Sequence, residues 1–205
     1  VYGGALPLSP ALGSLVERMR VVPERKQVLG EVLASLLSAG QVVFVDAGST
    51  NLAAVRALQP SHPLTIITNA PVIAAEAALH EGIELIVIGG CVDRRTGAAL
   101  GARALRDVAD LRPDVYLLGA CALDAEAGIA VFGFDEAEFK RALIAQSRLV
   151  IAAATTDKLG TSAPFGVAPA SVLGDLVLEA DAPAAQMNAL ESVGIRIHQA
   201  AVTGS

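Results

Sequence analysis

The chain has 205 residues, enough for one sizeable domain and marginal for two. It is 53% hydrophobic with a mean hydropathy of +0.55, which excludes wholesale disorder; only 3% is aromatic and Trp is absent, so the core must be built from Val, Leu, Ile and Ala. A formal charge of −6 argues against this piece alone wrapping DNA, because nonspecific affinity comes from Lys and Arg neutralising phosphates.

The opening "VYGGALPLSPALG" is punctuated by Gly and Pro and has weak periodicity, so residues 1–22 are expected to be a linker. From Glu24 a helix is expected, with Val28, Val32, Leu33, Leu36 and Leu37 on one face, Pro23 tolerated in its first turn and Gly40 as its C-cap candidate. Short apolar runs at 42–45, 64–67, 84–88, 114–118, 148–153 and 175–178 then alternate with helical patterns at 52–58, 72–79, 102–110, 136–146 and 184–192, with "GIRI" as a candidate last strand. Continuous apolar strands alternating with helices predict an α/β domain over 23–199, three-layered and Rossmann-like, with a mostly parallel sheet covered on both faces. "GIAVFG" (128–133) follows no helix and reads as a hairpin or edge strand. Residues 200–205 carry little pattern and are set aside as a tail.

Cys91 and Cys121, with His62, His80 and His198, show no zinc spacing, so no metal or other cofactor is expected and the thiols read as buried in a reducing compartment. No apolar run approaches membrane-spanning length, so the expectation is a cytoplasmic protein with no membrane partner.

In open α/β sheets ligands bind outside the carboxyl ends of the strands. The first strand ends in "DAGST", where Asp46, Gly48, Ser49 and Thr50 precede a helix whose first N–H groups face forward, an arrangement suited to a phosphate or carboxylate. Ser49 or Thr50 as a plain N-cap is the alternative for the same loop. Gly48 suits a backbone conformation closed to other residues or the close approach of a ligand. The spacing matches neither a Walker loop nor a dinucleotide fingerprint. Thr68 and Asn69 end the second strand, Asn69 as a helix cap that could also touch ligand. Gly89 and Gly90 end the third, Arg94 and Arg95 follow with Arg95 the better anion partner, and Gly101 stands at another helix start. Glu136 and Lys140 lie one turn apart on one face, which alone is an ordinary helix-stabilising pair, and Lys158 sits in a late loop.

Taken in order, "FVDAGSTN", "TIITNAP", "IGG…TGAALG", "DVYLLGA", "GFDEAEFKRALI" and "DKLG" resemble the effector-sensing domain of DeoR-type bacterial transcriptional repressors, from about Pro23 to Asp181. The resemblance implies a fold of the kind shared by NagB, RpiA and CoA transferases, a phosphorylated sugar or related small anionic metabolite as ligand, and a homo-oligomer. It also implies DNA binding only through a separate N-terminal helix-turn-helix domain, taken as absent upstream of Val1. The phosphate-loop role falls on Asp46, Gly48, Ser49 and Thr50, the second-loop role on Thr68 and Asn69, and the glycine turn on Gly89 and Gly90. Gly101, Glu136, Lys140 and Lys158 match further motif positions. The family's "GADG" is here "GACA", which puts Cys121 in place of an aspartate that would accept sugar hydroxyls, and Thr155 replaces the Asp that opens the late loop. The functional expectation is a regulator's sensor domain with no catalytic residue. The alternative is a sugar-phosphate isomerase using Glu136 as base and Lys158 to stabilise an enediolate.

Overall fold

Strands that are apolar on both sides must be covered on both sides, and the sheet is arranged accordingly. The computed structural model describes residues 6–11, 13–59 and 63–201. His62, the first five residues of the expected linker and the last four of the expected tail lie outside them. Helices α1 (Leu15–Arg20) and α2 (Pro23–Ser35) precede β1 (Val42–Val45), α3 (Ser49–Arg56), β2 (Leu64–Thr68), α4 (Pro71–Ala77) and β3 (Ile83–Val87). The short strands β4 (Cys91–Asp93) and β5 (Ala98–Leu100) lead into α5 (Ala102–Val108), β6 (Val115–Leu118), β7 (Ala122–Asp124), β8 (Gly128–Val131) and α6 (Phe134–Gln146). The chain continues through β9 (Leu149–Ala154), β10 (Phe165–Ala168), β11 (Asp175–Glu179), α7 (Ala184–Ser192) and β12 (Arg196–Ala200).

Seven strands form one sheet in the order β12-β11-β9-β6-β1-β2-β3, and every pairing in it is parallel. From β1 the chain winds outward through β2 and β3, then crosses back to place β6 on the other side of β1. The order therefore reverses between β1 and β6, and a crevice opens there at the carboxyl ends. Strand alternation divides the core in two. Phe44, Tyr116 and Leu118 pack on one face with Phe139 and Leu143 of α6, while Val43, Val45, Val115 and Leu117 pack on the other with Leu29 and Leu33 of α2. Three of the aromatics meet beneath the crevice, where the Phe44 ring meets Tyr116 edge-on at 5.8 Å and Phe139 at 5.9 Å. Among the described residues no helix is long and apolar enough to cross a membrane.

Several local expectations need correction. The stretch read as linker carries α1, opened by a capping box in which Ser14 and Glu17 exchange bonds with each other's backbone. The buried face of α2 is Lys26, Leu29, Gly30 and Leu33, with Val28 and Val32 only partly covered, because the helix lies across both α3 and the sheet. Its C-cap is Leu36; Gly40 is left-handed at φ 82 but sits in the following turn, where its N–H bonds the Pro63 carbonyl at 2.7 Å. β8 is the middle strand of an antiparallel sheet, β10-β8-β7, so it is a hairpin strand and not an edge. The short strands β4, β5, β7 and β10 were not anticipated.

A glycine inside a helix ordinarily costs about 1 kcal/mol relative to alanine. Gly30 is there because a Cβ on it would stand 2.6 Å from the Ala53 carbonyl carbon and the Ala54 nitrogen, so α2 and α3 touch backbone to backbone. Gly30→Ala should therefore destabilise the fold by about 1–3 kcal/mol, despite its better helix propensity. Urea denaturation checks this; a stabilised variant would contradict the packing.

Candidate functional site

The crevice at the β1–β6 reversal is organised by a carboxylate. Asp46 leaves the end of β1 and is almost fully buried, with a side chain 4% exposed. Its Oδ2 accepts from the Tyr116 hydroxyl at 3.0 Å, from the Gly119 N–H at 3.0 Å and from the Lys140 ammonium, while Oδ1 accepts from the Ala47 N–H at 2.9 Å. Lys140, 2% exposed, reaches it from α6 and also donates to the Gly119 carbonyl at 2.9 Å. Burial works against the Lys140 charge, but the nearby Asp46 and Glu136 carboxylates outweigh it and hold its pKa above the ordinary lysine value. Gly119 is required by this closeness, since a Cβ there would stand 2.5 Å from the Ala47 carbonyl oxygen.

The neighbouring loop is pinned in the same manner. Asn51 Nδ2 donates to the Asp46 and Leu117 carbonyls, each at 3.0 Å, which fixes the first turn of α3 against two strand ends. The N-cap of α3 is Gly48, with no side-chain cap, so neither Ser49 nor Thr50 caps the helix. The first N–H groups of a helix have no acceptor within it. Thr50 Oγ1 is buried with no partner among the described residues, and the residue is 6% exposed. Gly48 itself is extended at φ 174, a conformation open to any residue, and its Cβ position meets only Asn51 at 3.7 Å. Backbone freedom does not account for this glycine; clearance in front of the helix does.

Asp46, Gly48, Ser49, Thr50, Cys121, Glu136, Lys140 and Lys158 share the wall of one cavity. Its free space is about 30 Å³, because the ion pairs occupy it. Glu136 is held by Arg95 at 2.9 Å and lies 3.7 Å from Lys140. The Cys121 thiol points at Glu136 over 3.6 Å, and burial together with that carboxylate pushes its pKa up to about 11, so it is a neutral donor and a poor nucleophile. Lys158 donates to the Ala120 carbonyl at 3.0 Å, and burial draws its pKa below the ordinary value.

Other expected residues stand behind the wall or away from it. Thr68 Oγ1 donates to the Val45 carbonyl at 2.7 Å and accepts from the Ala70 N–H at 3.1 Å. Asn69 is not the cap of α4, whose N-cap is Ala70; instead it bonds Ala99 through both backbone and side chain, tying β2 to β5. Gly89 and Gly90 are exposed in the turn after β3. Gly101 serves α5 as a left-handed N-cap at φ 89, and Arg95 reaches the site only through Glu136. Sequence reasoning missed Tyr116 and, in the supposed linker, Arg18, which lines the cavity. Neither carried a local signal. Among the described residues no group of His, Cys, Asp or Glu is arranged to hold a metal ion.

Against known proteins, the family model described as the DeoR C terminal sensor domain matches residues 22–180. The glycerol-3-phosphate regulon repressor of Escherichia coli (strain K12) is 27% identical over 195 residues, covering 95% of this chain and 77% of that protein. The uncharacterized HTH-type transcriptional regulator FruR of Bacillus subtilis (strain 168) is 30% identical over 178 residues, 84% of this chain and 70% of that one. Among solved structures, the Pyrococcus horikoshii OT3 translation initiation factor eIF-2B aligns with a TM-score of 0.51 at 20% identity, over 72% of this chain and 51% of that one. That last likeness concerns the fold alone.

Removing one member of a buried ion pair strands the other, so Lys140→Met should cost about 3–5 kcal/mol in urea denaturation, and adding Asp46→Asn should recover a large part of it. The Lys140 pKa is raised on folding, so its contribution is complete below the unfolded value and is lost only as pH climbs through the folded one. The difference between parent and the Lys140→Met, Asp46→Asn double variant should accordingly be flat across roughly pH 6 to 9. A strong dependence in that window would contradict the pairing.

Proposed function

The chain belongs to the family of DeoR C-terminal sensor domains, and from that premise we propose that the cavity at the β1–β6 reversal takes a phosphorylated sugar or a related small anionic metabolite. Filling it sets DNA binding by a separate N-terminal domain, in a cytoplasmic homo-oligomer whose sensor spans 23–199 and is joined through 1–22. The observation that carries this reading is the Thr50 hydroxyl at the start of α3, buried in the wall with no partner among the described residues, beside the first helix N–H groups, which have no acceptor within the helix. A phosphate offers acceptor oxygens to both. The charge is right as well: Arg18, Lys140 and Lys158 outnumber Asp46 and Glu136 in the wall, and Arg95 offsets Glu136 from behind.

In this assignment Gly48, Ser49 and Thr50 receive the phosphate and Lys158 supplies a cation. Glu136 and Cys121 face the rest of the molecule. With a thiol in place of an aspartate, the site has one acceptor fewer for sugar hydroxyls, which favours a short or sparsely hydroxylated ligand. The name of the Escherichia coli relative makes glycerol 3-phosphate the first compound to try. An isomerase would need Glu136 and Lys158 available as base and electrophile, whereas both are engaged by Arg95, Lys140, Cys121 and the Ala120 carbonyl.

Thermal unfolding with glycerol 3-phosphate, fructose 1-phosphate and fructose 6-phosphate, each beside its unphosphorylated parent and inorganic phosphate, tests the reading. A binding phosphate ester at a hundred times its Kd should stabilise the chain by about 2.7 kcal/mol, and the parent alcohol should not. Thr50→Val, which removes the hydroxyl at constant shape, should weaken binding about tenfold or more. Equal responses to phosphorylated and unphosphorylated compounds would sink the proposal.

A further inference from the structure

The segment ahead of α2 does more than lead into the domain. Residues 7–9 lie along the late loop, with the Ser162 N–H on the Pro7 carbonyl at 2.8 Å and the Ser9 N–H on the Ser162 carbonyl at 3.0 Å. The Ser9 hydroxyl donates to the carbonyl of Cys121, and the Leu15 N–H donates to the carbonyl of Arg95 at 2.9 Å. Leu15 is buried over Gly97, where a Cβ would come within 2.3 Å of its side chain. This short stretch thus touches three loops around the cavity, and Ala11 and Arg18 stand in the cavity wall itself.

Arg18 is aimed and incompletely used. Its Nη1 donates to the Gly13 carbonyl at 2.7 Å and to the Ala11 carbonyl at 3.4 Å; its other nitrogens make no bond among the described residues. Close by stand Lys158 and Lys26, whose ammonium donates to the Arg18 carbonyl and to the Val21 carbonyl at 2.6 Å. Burial first, and like charge from Lys158 and Arg18 besides, draws Lys26 down to about 8 against the pull of the Asp157 and Glu179 carboxylates; Lys158 is lowered by burial, with Asp157 supporting its charge and Arg18 opposing it. Three cations therefore gather at the last turn of α1. An anion among them would relieve their repulsion.

The docking of α1 also has a built-in opposing strain. Val22, between α1 and α2, is left-handed at φ 40, the one non-glycine residue at positive φ among the described residues. For a β-branched residue that conformation costs about 1–3 kcal/mol and persists only where its surroundings impose it. Here the surroundings are the two Lys26 bonds. Of the elements that line the cavity, the one held by a strained turn and crowded by like charge is α1, so it is the wall placed to respond to a ligand.

We propose that Arg18 is a ligand-anion contact, so that residues 6–11 and 13–22 form a movable wall of the sensor pocket which a bound anion holds closed. The ligand then reads out directly as the position of the segment N-terminal to the sensor. A phosphate between Arg18, Lys158 and the start of α3 closes the strap, and the empty site, lacking that bridge, loosens it. This rests on the reading of the cavity as an anion site, and deepens it by naming the element that responds.

The test uses the 205-residue chain, with glycerol 3-phosphate and inorganic phosphate as probes. Calorimetry compares the parent with Arg18→Met and Arg18→Lys, and limited trypsin digestion follows cleavage after Arg20, with cleavage after Arg103 on α5 reporting global opening. Arg18→Met should weaken glycerol 3-phosphate about tenfold or more, with Arg18→Lys between the two. Saturating ligand should slow cleavage after Arg20 in the parent and leave cleavage after Arg103 little changed. Unchanged affinity in Arg18→Met, or strap cleavage indifferent to a bound ligand, overturns the proposal while leaving the cavity's assignment intact. Binding and strap protection by inorganic phosphate, with no gain from any phosphate ester, would instead overturn the sugar-phosphate assignment and keep the strap. No response to any anion overturns both.

Discussion

The site depends on the buried pair between Asp46 and Lys140. A doubly wound sheet leaves a crevice where its winding reverses, and there the ends of β1 and β6 would expose backbone polar groups to an apolar interior. Asp46 resolves this by accepting from Tyr116, Gly119, Ala47 and Lys140 at once, and Lys140 returns a bond to the Gly119 carbonyl. Taking two charges out of water is expensive, and the arrangement is tolerable only because nearly every donor and acceptor of the pair has a partner. Such a pair adds little net stability over a well-packed apolar alternative. What it supplies here is position: it fixes the loop after β1 and the helix α6 relative to each other.

Once the scaffold is satisfied, what remains unsatisfied defines the function. Asp46, Asn51 and Thr68 spend their bonds on the protein itself, and Asn69 spends its amide N–H there, with its Oδ1 buried behind the wall and without a partner among the described residues. Thr50 and the first N–H groups of α3 do not, and neither does most of the Arg18 guanidinium. An enzyme would need its base and electrophile poised for reaction. A sensor needs only that one conformation gain more from the ligand than another does. A nearly filled cavity with one strained, charge-crowded wall meets that second requirement directly.

The fold was legible because its signal is periodic and repeated: six of the apolar runs anticipated between β1 and β11 fall on strands of the parallel sheet. Helix α1 was not, because six residues following a Gly- and Pro-rich stretch give no measurable period, though the Ser14–Glu17 capping box was present to be read. The rotated face of α2 was missed because Gly30 and Lys26, poor markers of a core, are buried by contacts that only the tertiary arrangement creates. At the site, the motif residues Gly48, Ser49, Thr50, Cys121, Glu136, Lys140 and Lys158 line one cavity. Motif order could not separate residues that face the cavity from those, such as Asn69, that brace it from behind, since both kinds are small, polar and placed at strand ends. Arg18 was invisible for a different reason: its neighbours in the cavity wall, Asp46, Cys121 and Lys158 among them, come from distant parts of the chain, and no local pattern encodes that meeting.

The central claim is that the start of α3 is an anion site completed from the N-terminal side. Backbone amide chemical-shift mapping during titration with glycerol 3-phosphate tests it most directly, because it observes the N–H groups themselves. The account predicts that the largest shifts fall on Gly48, Ser49 and Thr50, accompanied by the Arg18 side chain and saturating with them. Shifts scattered over exposed lysines and arginines, with residues 48–50 and Arg18 unmoved at saturation, would contradict it.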